Sequence, residues 1–344
     1  MSAASRLFPA RKARYLFWPV LIMLLVWALR DVRLIEITAI VSRLTPASIL
    51  ILFAVNAGII WLFASRWWLI LRAQGYRIAY LPLVAYRLTA FGVSYFTPGP
   101  QFGGEPLQAY FLHKRHEVPL AAAVSSITLD KLLELLANFG FLVFGIFTIL
   151  RSGFFPGLGA ERLIPIAVVL LLAPLGYLAS LWAGLKPLSA AWRRLPRRLL
   201  QMQSLSRLHE HLNQVEQQIA TFCRQKPKVL AQAILFSGLI WVILVLEYRL
   251  TLNYLGIDLN LLQSIAVLTA ARLAFLLPLP GGVGALEAGL VLAMQAMGNS
   301  PAAGISISVL IRSRDVLLGA SGLWLAGMLT RRKRAYFFSS QVGD

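Results

Sequence analysis

The sequence has little charge, few acidic residues and almost no cysteine, and each shortage excludes a class of protein. Charged residues make up 14% of the 344 residues and hydrophobic residues 58%, with a mean hydropathy of +0.70. This composition is too apolar for a soluble globular enzyme or a disordered regulator. The one cysteine, Cys223, excludes an intramolecular disulfide and a cysteine metal cluster. The sequence therefore predicts an all-α polytopic membrane protein, and we expect no metal or cofactor.

The excess of positive charge is explained by membrane topology. The chain has 33 Lys and Arg against 14 Asp and Glu, a formal charge of +19. Cytoplasmic loops of membrane proteins collect Lys and Arg, so we predict no nucleic-acid partner. The basic segments 1–14, 186–228 and 331–344 are predicted to be cytoplasmic. Both termini would then lie on the cytoplasmic side of a bacterial cytoplasmic (inner) membrane.

Apolar runs predict about six full spans within a single transmembrane domain over residues 15–330. Four runs are free of charge, at 15–29, 44–65, 163–185 and 229–246, and two longer ones, 118–150 and 301–330, contain charges. Arg66, Trp67 and Trp68 follow one run and are predicted to lie at the membrane surface.

Two further apolar stretches, 81–112 and 261–297, are broken near their centres. The breaks are Pro98-Gly99-Pro100 and Pro278-Leu279-Pro280-Gly281-Gly282. Proline removes an amide donor and glycine frees the backbone, so each stretch is predicted to be a re-entrant hairpin of two half-helices. If the stretches crossed fully, the basic loop 186–228 would lie outside, against the bias for cytoplasmic Lys and Arg.

The two broken stretches align with each other at an offset of 182 residues. Pro98 and Gly99 match Pro280 and Gly281, Glu105 matches Glu287, and Pro119 matches Pro301. The repeat halves are about 44–150 and 229–330, and in the predicted topology the second is inverted relative to the first. Inverted repeats with broken helices are typical of secondary transporters, which bind substrate where the repeats meet.

The loop 186–228 contains an apolar helical stripe. It consists of Leu205, Leu208, Leu212, Val215, Ile219 and Phe222. Because arginines precede it and basic residues follow it, one interpretation is a helix that lies on the anionic inner leaflet. The other is a helix that caps the ends of the spans.

The broken motifs are predicted to bind an anion. Gly103 and Gly104 in the first motif and Gly282 in the second leave backbone amides uncovered at the start of a half-helix, where partial positive charge favours a lipid phosphate. Glu105 and Glu287 follow these glycines. Each carboxylate either is stabilised by the helix dipole or belongs to a proton pathway, since ionisable groups inside a membrane mark function.

Charges inside the two long spans are predicted to form a polar centre. Asp130 and Arg312 occupy equivalent repeat positions, and their charged neighbours are Lys131, Glu134, Arg314 and Asp315. We hypothesise that Asp130 or Glu134 pairs with Arg312 or Arg314, leaving one arginine to bind phosphate. The alternative is an ion pair that only joins two helices. Further candidates are Arg87, Arg272, Glu247 and Arg249.

These motifs resemble those of a known family. The segments 98–105 and 280–287 and the Arg312-x-Arg314 pair are similar to the lysylphosphatidylglycerol synthase transmembrane region family, also called flippase-like. The resemblance implies translocation of a lipid across the membrane, and the synthase domain is expected to be absent. Pro100, Gln101 and Gln108 replace arginines that the family often has, which weakens the positive charge of the first motif.

The leading functional prediction is a flippase-like transporter that moves an anionic phospholipid or lipid-linked headgroup between leaflets. Gly281-Gly282-Val283-Gly284 lacks the Gly-Lys-Ser/Thr ending of an ATP-binding loop. The alternatives are a proton-coupled small-anion transporter, and a membrane enzyme or partner subunit of a lipid-modifying pathway with Glu105 and Glu287 as acid and base. We expect no enzymatic activity. The expected partners are membrane lipids, with a lipid-synthesis enzyme or a second copy of the chain as candidates.

Overall fold

The structure is a computed structural model, and it describes residues 34–96, 103–153, 160–192, 203–277, 279 and 282–339. Within these ranges the chain forms α-helices joined by short turns, without a β-strand. The predicted first span, 15–29, lies outside the described residues. So do Pro98, Gly99, Pro280 and Gly281 of the two broken motifs.

Twelve helices make up the described part of the chain. They are α1 (Leu34–Val41), α2 (Pro46–Ala73), α3 (Tyr80–Phe96), α4 (Glu105–His116), α5 (Leu120–Ser152), α6 (Ala160–Trp182), α7 (Pro187–Trp192), α8 (Gln203–Gln225), α9 (Pro227–Tyr254), α10 (Leu261–Phe275), α11 (Ala285–Ala296) and α12 (Pro301–Ser339).

Four of these helices, α2, α5, α6 and α9, are long and apolar enough to cross a membrane. Their outward faces carry large exposed apolar side chains such as Leu50, Leu172 and Leu235. Exposed apolar surface of this extent is unfavourable in water and indicates contact with lipid. α12 is longer still, but Arg312, Arg314 and Asp315 interrupt it. The predicted all-α membrane fold is confirmed, while the number of full spans stays a prediction.

The order of helices repeats along the chain. α2 and α9 have 28 residues each, and each is followed by two short helices and a long one. The short helices have 17 and 12 residues in the first half and 15 and 12 in the second. The same long, short, short, long pattern thus occurs twice.

The short helices pair as antiparallel hairpins, as the broken motifs predict. In the first hairpin the Gly104 amide donates to Ser94 Oγ at 2.9 Å near the tip, and Tyr86 contacts His116 near the base. A Cβ on Gly104 would lie 2.1 Å from the Ala90 carbonyl oxygen, so glycine is needed for the close approach. In the second hairpin Gly289 of α11 packs against α10 in a similar way.

The two hairpins enter the bundle from opposite ends. Asn56 of α2 contacts Glu247 of α9, and Arg66 contacts Ser237, so the two helices are antiparallel. The end of α2 therefore lies beside the start of α9. Because each hairpin follows its own long helix, the first hairpin starts at one end of the bundle and the second at the other, which is the inverted arrangement.

Each hairpin also packs against the long helix of the other half. Gly92 of α3 faces Gly319 of α12, where an added Cβ would lie 2.5 Å from the Gly319 carbonyl oxygen. The Thr269 side chain of α10 packs closely against Gly145 of α5. Small residues allow these close helix contacts, and they interlock the halves around the centre of the bundle.

α8 caps one end of the bundle. Val215, Ile219 and Phe222 are buried against the ends of α6 and α9 and the first half of α5. Glu216 is also buried, and its carboxylate accepts hydrogen bonds from the Leu188 and Ser189 amides at the start of α7. The second half of the predicted apolar stripe thus belongs to the core, as the capping interpretation states, whereas Leu208 in the first half is exposed.

Candidate functional site

A cavity of about 560 Å³ lies between the two halves. Eight helices line it, α2 to α6, α9, α10 and α12, and on the long helices the lining residues lie near mid-length. The tips of both hairpins reach it through Ser94 and Glu105 in the first and Phe275 and Leu276 in the second. This is the position at which inverted-repeat transporters bind substrate.

A buried ion-pair cluster forms one wall of the cavity. Arg66 Nε donates to Asp130 Oδ1 at 2.7 Å, and its other nitrogens donate to the Asp130 carbonyl and to Ser237 Oγ. Arg87 of α3 pairs with the second oxygen of Asp130 and with Glu134 Oε2, the latter at 2.6 Å. These ion pairs thus join α2, α3 and α5, three helices of the first half.

The cluster continues to the tip of the first hairpin. Lys131 Nζ lies 2.8 Å from Glu134 Oε1 and 3.5 Å from Glu105 Oε1. Glu105 in turn accepts a hydrogen bond from the Gly103 amide at 2.8 Å. With Arg66, Arg87 and Lys131 facing Asp130, Glu134 and Glu105, the cluster contains three cations and three carboxylates and is neutral.

A second cluster, from the other half, faces the same cavity. Arg314 Nη1 lies 2.8 Å from Glu247 Oε1, and its Nε lies 2.9 Å from Asp315 Oδ1. Asn56 of α2 also donates to Glu247 Oε1, at 3.3 Å. The second oxygen of Glu247 is buried and has no hydrogen-bonding partner in the described ranges of the chain. Glu247 therefore carries an acceptor that the fold leaves unused.

Arg272 differs from the other cations of the cavity. Its guanidinium carbon lies 5.0 Å from the centre of the Trp241 ring, a cation-π contact. Within the part of the chain that the structure describes, no carboxylate lies within ion-pairing distance of it and no hydrogen bond of its guanidinium is found. The other lining cations, Arg66, Arg87, Lys131 and Arg314, all have carboxylate partners. Arg272 is thus the cation best able to receive an external anion.

The second motif glutamate lies away from the cavity. Glu287 pairs with Arg312 through both oxygens, one contact being Arg312 Nη2 to Oε2 at 2.9 Å. Its oxygens also accept from Ser308 Oγ and from the Gly284 amide. Neither Glu287 nor Arg312 lines the cavity. Their contacts are those of a saturated cap at the start of α11, where a carboxylate is favoured by the helix dipole.

The glycines of the motifs build the hairpin tips. The Gly103 amide donates to Glu105 Oε2 and the Gly104 amide to Ser94 Oγ, so both amides just before the first half-helix have acceptors within the protein. Gly282 adopts a φ of +63°, the left-handed region that favours glycine. The amides expected to bind phosphate at these tips are therefore engaged by protein acceptors wherever the structure describes them.

The predicted pairing of Asp130 or Glu134 with Arg312 or Arg314 is wrong. The acidic pair contacts Arg66 and Arg87, while Arg312 and Arg314 contact carboxylates of the second half. The reason is the packing of the long helices. α5 lies against α2, α4, α6, α8, α9 and α10, whereas α12 lies against α1, α3 and α11. Equivalent positions of a repeat need not be neighbours.

The prediction for Arg66 and Trp67 is also wrong. Both were expected at the membrane surface, yet both side chains are fully buried, and Trp67 donates to Ser126 Oγ at 3.2 Å. α2 continues to Ala73, well past the apolar run, so these residues lie within the bundle. Arg66 lies about two turns before the end of α2, and an arginine buried there needs a carboxylate partner.

The described residues contain no group of three or more histidine, cysteine or acidic side chains placed to hold a metal ion. Nine charged residues instead line the central cavity together with a majority of apolar and aromatic ones. The fold and this cavity define an integral membrane protein built as an inverted repeat around a charged centre.

Comparison with known proteins places the chain in a family. The model of the lysylphosphatidylglycerol synthase TM region matches residues 15–322, and the chain belongs to this family. A UPF0104 membrane protein of Methanothermobacter thermautotrophicus is 24% identical over 291 residues, which are 80% of this chain and 83% of the relative. Another, of Methanocaldococcus jannaschii, is 23% identical over 128 residues, 37% of this chain and 36% of the relative. No solved structure matches the chain.

Proposed function

We propose that this protein moves an anionic lipid between membrane leaflets and holds the headgroup phosphate in the central cavity through Arg272. The observation that carries the proposal is the Arg272 guanidinium, which lines the cavity without an ion pair in the described part of the chain. A planar guanidinium donates two parallel hydrogen bonds to a phosphate. The proposal assigns no chemical reaction to the protein.

The size and lining of the cavity suit an amphiphile better than a small ion. A volume of about 560 Å³ falls within the range of sites for medium-sized organic ligands. Aromatic side chains, among them Phe63, Phe91 and Phe275, share the wall with the charges. A phosphate with attached glycerol and the first acyl carbons would contact both kinds of surface.

The pairing of the charges, and not their sum, supports an anionic substrate, because the two clusters and Arg272 together hold five cations and five carboxylates. The first cluster is neutral by itself, and in the second Arg314 is matched by Glu247 and Asp315. A cationic headgroup would meet Arg272 without a nearby free carboxylate, apart from the unused oxygen of Glu247. A phosphate on Arg272 leaves every other ion pair intact.

The basic residues support the orientation that we propose. The end of the bundle formed by the base of the first hairpin carries Arg72, Arg77, Lys114, Lys186 and Lys228. We place this end, with α8, at the cytoplasmic surface by the positive-inside rule. The first hairpin then enters from the cytoplasm and the second from outside.

The experiment is leaflet exchange of fluorescent phosphatidylglycerol in proteoliposomes. Arg272→Gln should lower the protein-dependent rate about tenfold, because one charge-assisted contact to phosphate is lost. Arg272→Lys should retain part of the rate, since lysine keeps the positive charge but cannot donate two parallel hydrogen bonds from a planar group. The matched control is Arg249→Gln, an exposed arginine on α9, which should match the wild type.

The outcomes separate the candidates. Equal rates for Arg272→Gln and Arg249→Gln would refute the role of Arg272. Wild-type exchange no faster than in empty liposomes, in a folded sample and over a panel of lipids, would refute lipid translocation. Exchange of phosphatidylcholine at the same rate as phosphatidylglycerol would refute the requirement for an anionic headgroup.

One observation favours proton coupling as a second candidate function. The unused oxygen of Glu247 is buried beside Arg314. A proton on Glu247 would weaken its pairing with Arg314, which would keep Asp315, and would raise the net charge around the cavity by one, in favour of an anion. Glu247→Gln should then abolish the effect of an imposed pH gradient on transport while exchange without a gradient continues. A gradient effect that persists in Glu247→Gln would refute this coupling.

A further inference from the structure

A second cavity lies at the end of the bundle where α6 ends and α7 and α8 pack together. Nine residues line it, from the end of α6, the following turn, α7 and α8. It shares no lining residue with the central cavity. It is therefore a site separate from the one at Arg272.

Three buried polar atoms at this place have no hydrogen-bonding partner among the residues that the structure describes. They are Ser189 Oγ, His209 Nδ1 and Trp192 Nε1. Ser189 is 2% exposed and lines the cavity, as does His209. The Trp192 ring stacks on the His209 ring with centroids 6.3 Å apart. Buried polar groups without partners are costly, so their clustering indicates a polar ligand.

The charge around the cavity is positive. Lys186 Nζ donates to Asn213 Oδ1 at 2.8 Å, and both residues line the cavity. Arg224 lies against Gly184, another lining residue. None of the nine lining residues is acidic. The buried carboxylate of Glu216 lies nearby, but both of its oxygens accept hydrogen bonds from the amides that start α7. The cavity thus favours an anion.

Apolar side chains surround the polar cavity. Leu185, a lining residue, is 62% exposed, and Trp182, Leu188 and Leu208 are about half exposed. A tryptophan and leucines beside a lysine are typical of the boundary between headgroups and acyl chains. A free phosphate ion would make no use of these apolar side chains, whereas a lipid would contact them with its acyl chains.

We propose that this cavity binds the phosphate of an anionic lipid headgroup at the membrane surface. Lys186, Ser189 and His209 contact the phosphate, and the acyl chains lie along Leu185 and Trp182. The site would hold a lipid of the surrounding leaflet, apart from any lipid in the central cavity.

The test is native mass spectrometry of the full chain in detergent with added phosphatidylglycerol. Arg272→Gln serves as the background, so that binding in the central cavity is weakened and the two sites are distinguished. Into this background we introduce Asn213→Asp, an isosteric change at an exposed position that adds a negative charge beside Lys186 and still accepts its hydrogen bond. Ser189→Ala removes an unpartnered hydroxyl, and Lys228→Ala is the control, an exposed lysine at the same end of the bundle.

We expect one bound phosphatidylglycerol to persist in the background, with an affinity lowered about tenfold by Asn213→Asp and roughly threefold by Ser189→Ala. Lys228→Ala should have no effect. Unchanged affinity in Asn213→Asp, or an equal loss in Lys228→Ala, would overturn the site. Equal binding of phosphatidylcholine would overturn its preference for an anion. Displacement of the lipid by inorganic phosphate at similar concentration would show a free-phosphate site instead.

Discussion

Replacing Asp130 by asparagine tests the charge cluster directly, because the change removes one negative charge while keeping the size of the side chain. Asp130 accepts from Arg66 at 2.7 Å and also pairs with Arg87. The Arg66 and Asp130 side chains are 1% and 5% exposed. Removing one partner of a buried ion pair costs about 3 to 5 kcal/mol, because the other charge is left without compensation.

The contacts that remain place the expected loss at the lower end of this range. Arg66 keeps its hydrogen bonds to the Asp130 carbonyl at 3.1 Å and to Ser237 at 2.9 Å. Arg87 keeps its ion pair with Glu134, in which Nη2 lies 2.6 Å from Oε2. We therefore expect Asp130→Asn to lower the free energy of unfolding by about 3 kcal/mol.

The assay is thermal unfolding of the purified protein in detergent, followed by the fluorescence of its nine tryptophans. The control is Glu105→Gln, since Glu105 lies 3.5 Å from Lys131 with both side chains partly exposed. Such a pair contributes less than about 1 kcal/mol. Arg66→Gln and the double variant complete a cycle that isolates the coupling of Arg66 with Asp130. A loss for Asp130→Asn no larger than for Glu105→Gln would refute a buried structural cluster.

Three further predictions follow from the packing. The double exchange Asp130→Arg with Arg312→Asp should unfold at a lower temperature than either single variant, because the two residues belong to different clusters; rescue would contradict the structure. Gly322→Ala should destabilise the protein by about 1 to 3 kcal/mol, because its Cβ would lie 2.0 Å from a carbonyl oxygen of α3. Gly140→Ala is the control and should leave the stability unchanged, since there is open space around Gly140. The midpoints of thermal unfolding measure both effects. Burial raises the pKa of the Cys223 thiol to about 11, so little thiolate forms at pH 8 and maleimide should label the folded protein far more slowly than the unfolded one; equal rates would show an accessible thiol.

The architecture could be predicted from the sequence because its determinants are local. Clusters of proline and glycine in the middle of an apolar stretch favour a break, although the single prolines Pro165 and Pro174 lie inside α6. The offset between Glu105 and Glu287 reveals the duplication. The inverted arrangement follows from the placement of basic loops on one side. None of these steps needs knowledge of which helices touch.

The lining residues could be predicted for a related reason, and their partners could not. Charges inside apolar spans are costly, so Asp130, Lys131, Glu134, Arg314 and Asp315 are recognisable as members of a polar centre. All five line the cavity. Which cation pairs with which carboxylate depends on helix packing. The repeat alignment shows which residues occupy equivalent positions in the two halves, but it does not show which residues are in contact.

Arg66 was missed because it lies at the edge of an apolar run, beside Trp67. That pattern is common to residues at the membrane surface and to residues near the end of a longer helix. Only the full length of α2, with the antiparallel α5 beside it, shows that the arginine is buried.

The distribution of ion pairs bears on the conformational change that the proposed transport would require. Every ion pair among the described residues joins helices of the same half or lies within one helix, as with Arg66 and Asp130 in the first half and Glu247 and Arg314 in the second. The polar contacts of α2 with α9 across the halves are hydrogen bonds, from Asn56 to Glu247 and from Arg66 to Ser237. A movement of one half against the other would therefore separate none of the ion pairs between described residues. Because Arg272 lies between the halves without a carboxylate partner in the described chain, an anion bound there could follow such a movement without the cost of first breaking a buried salt bridge.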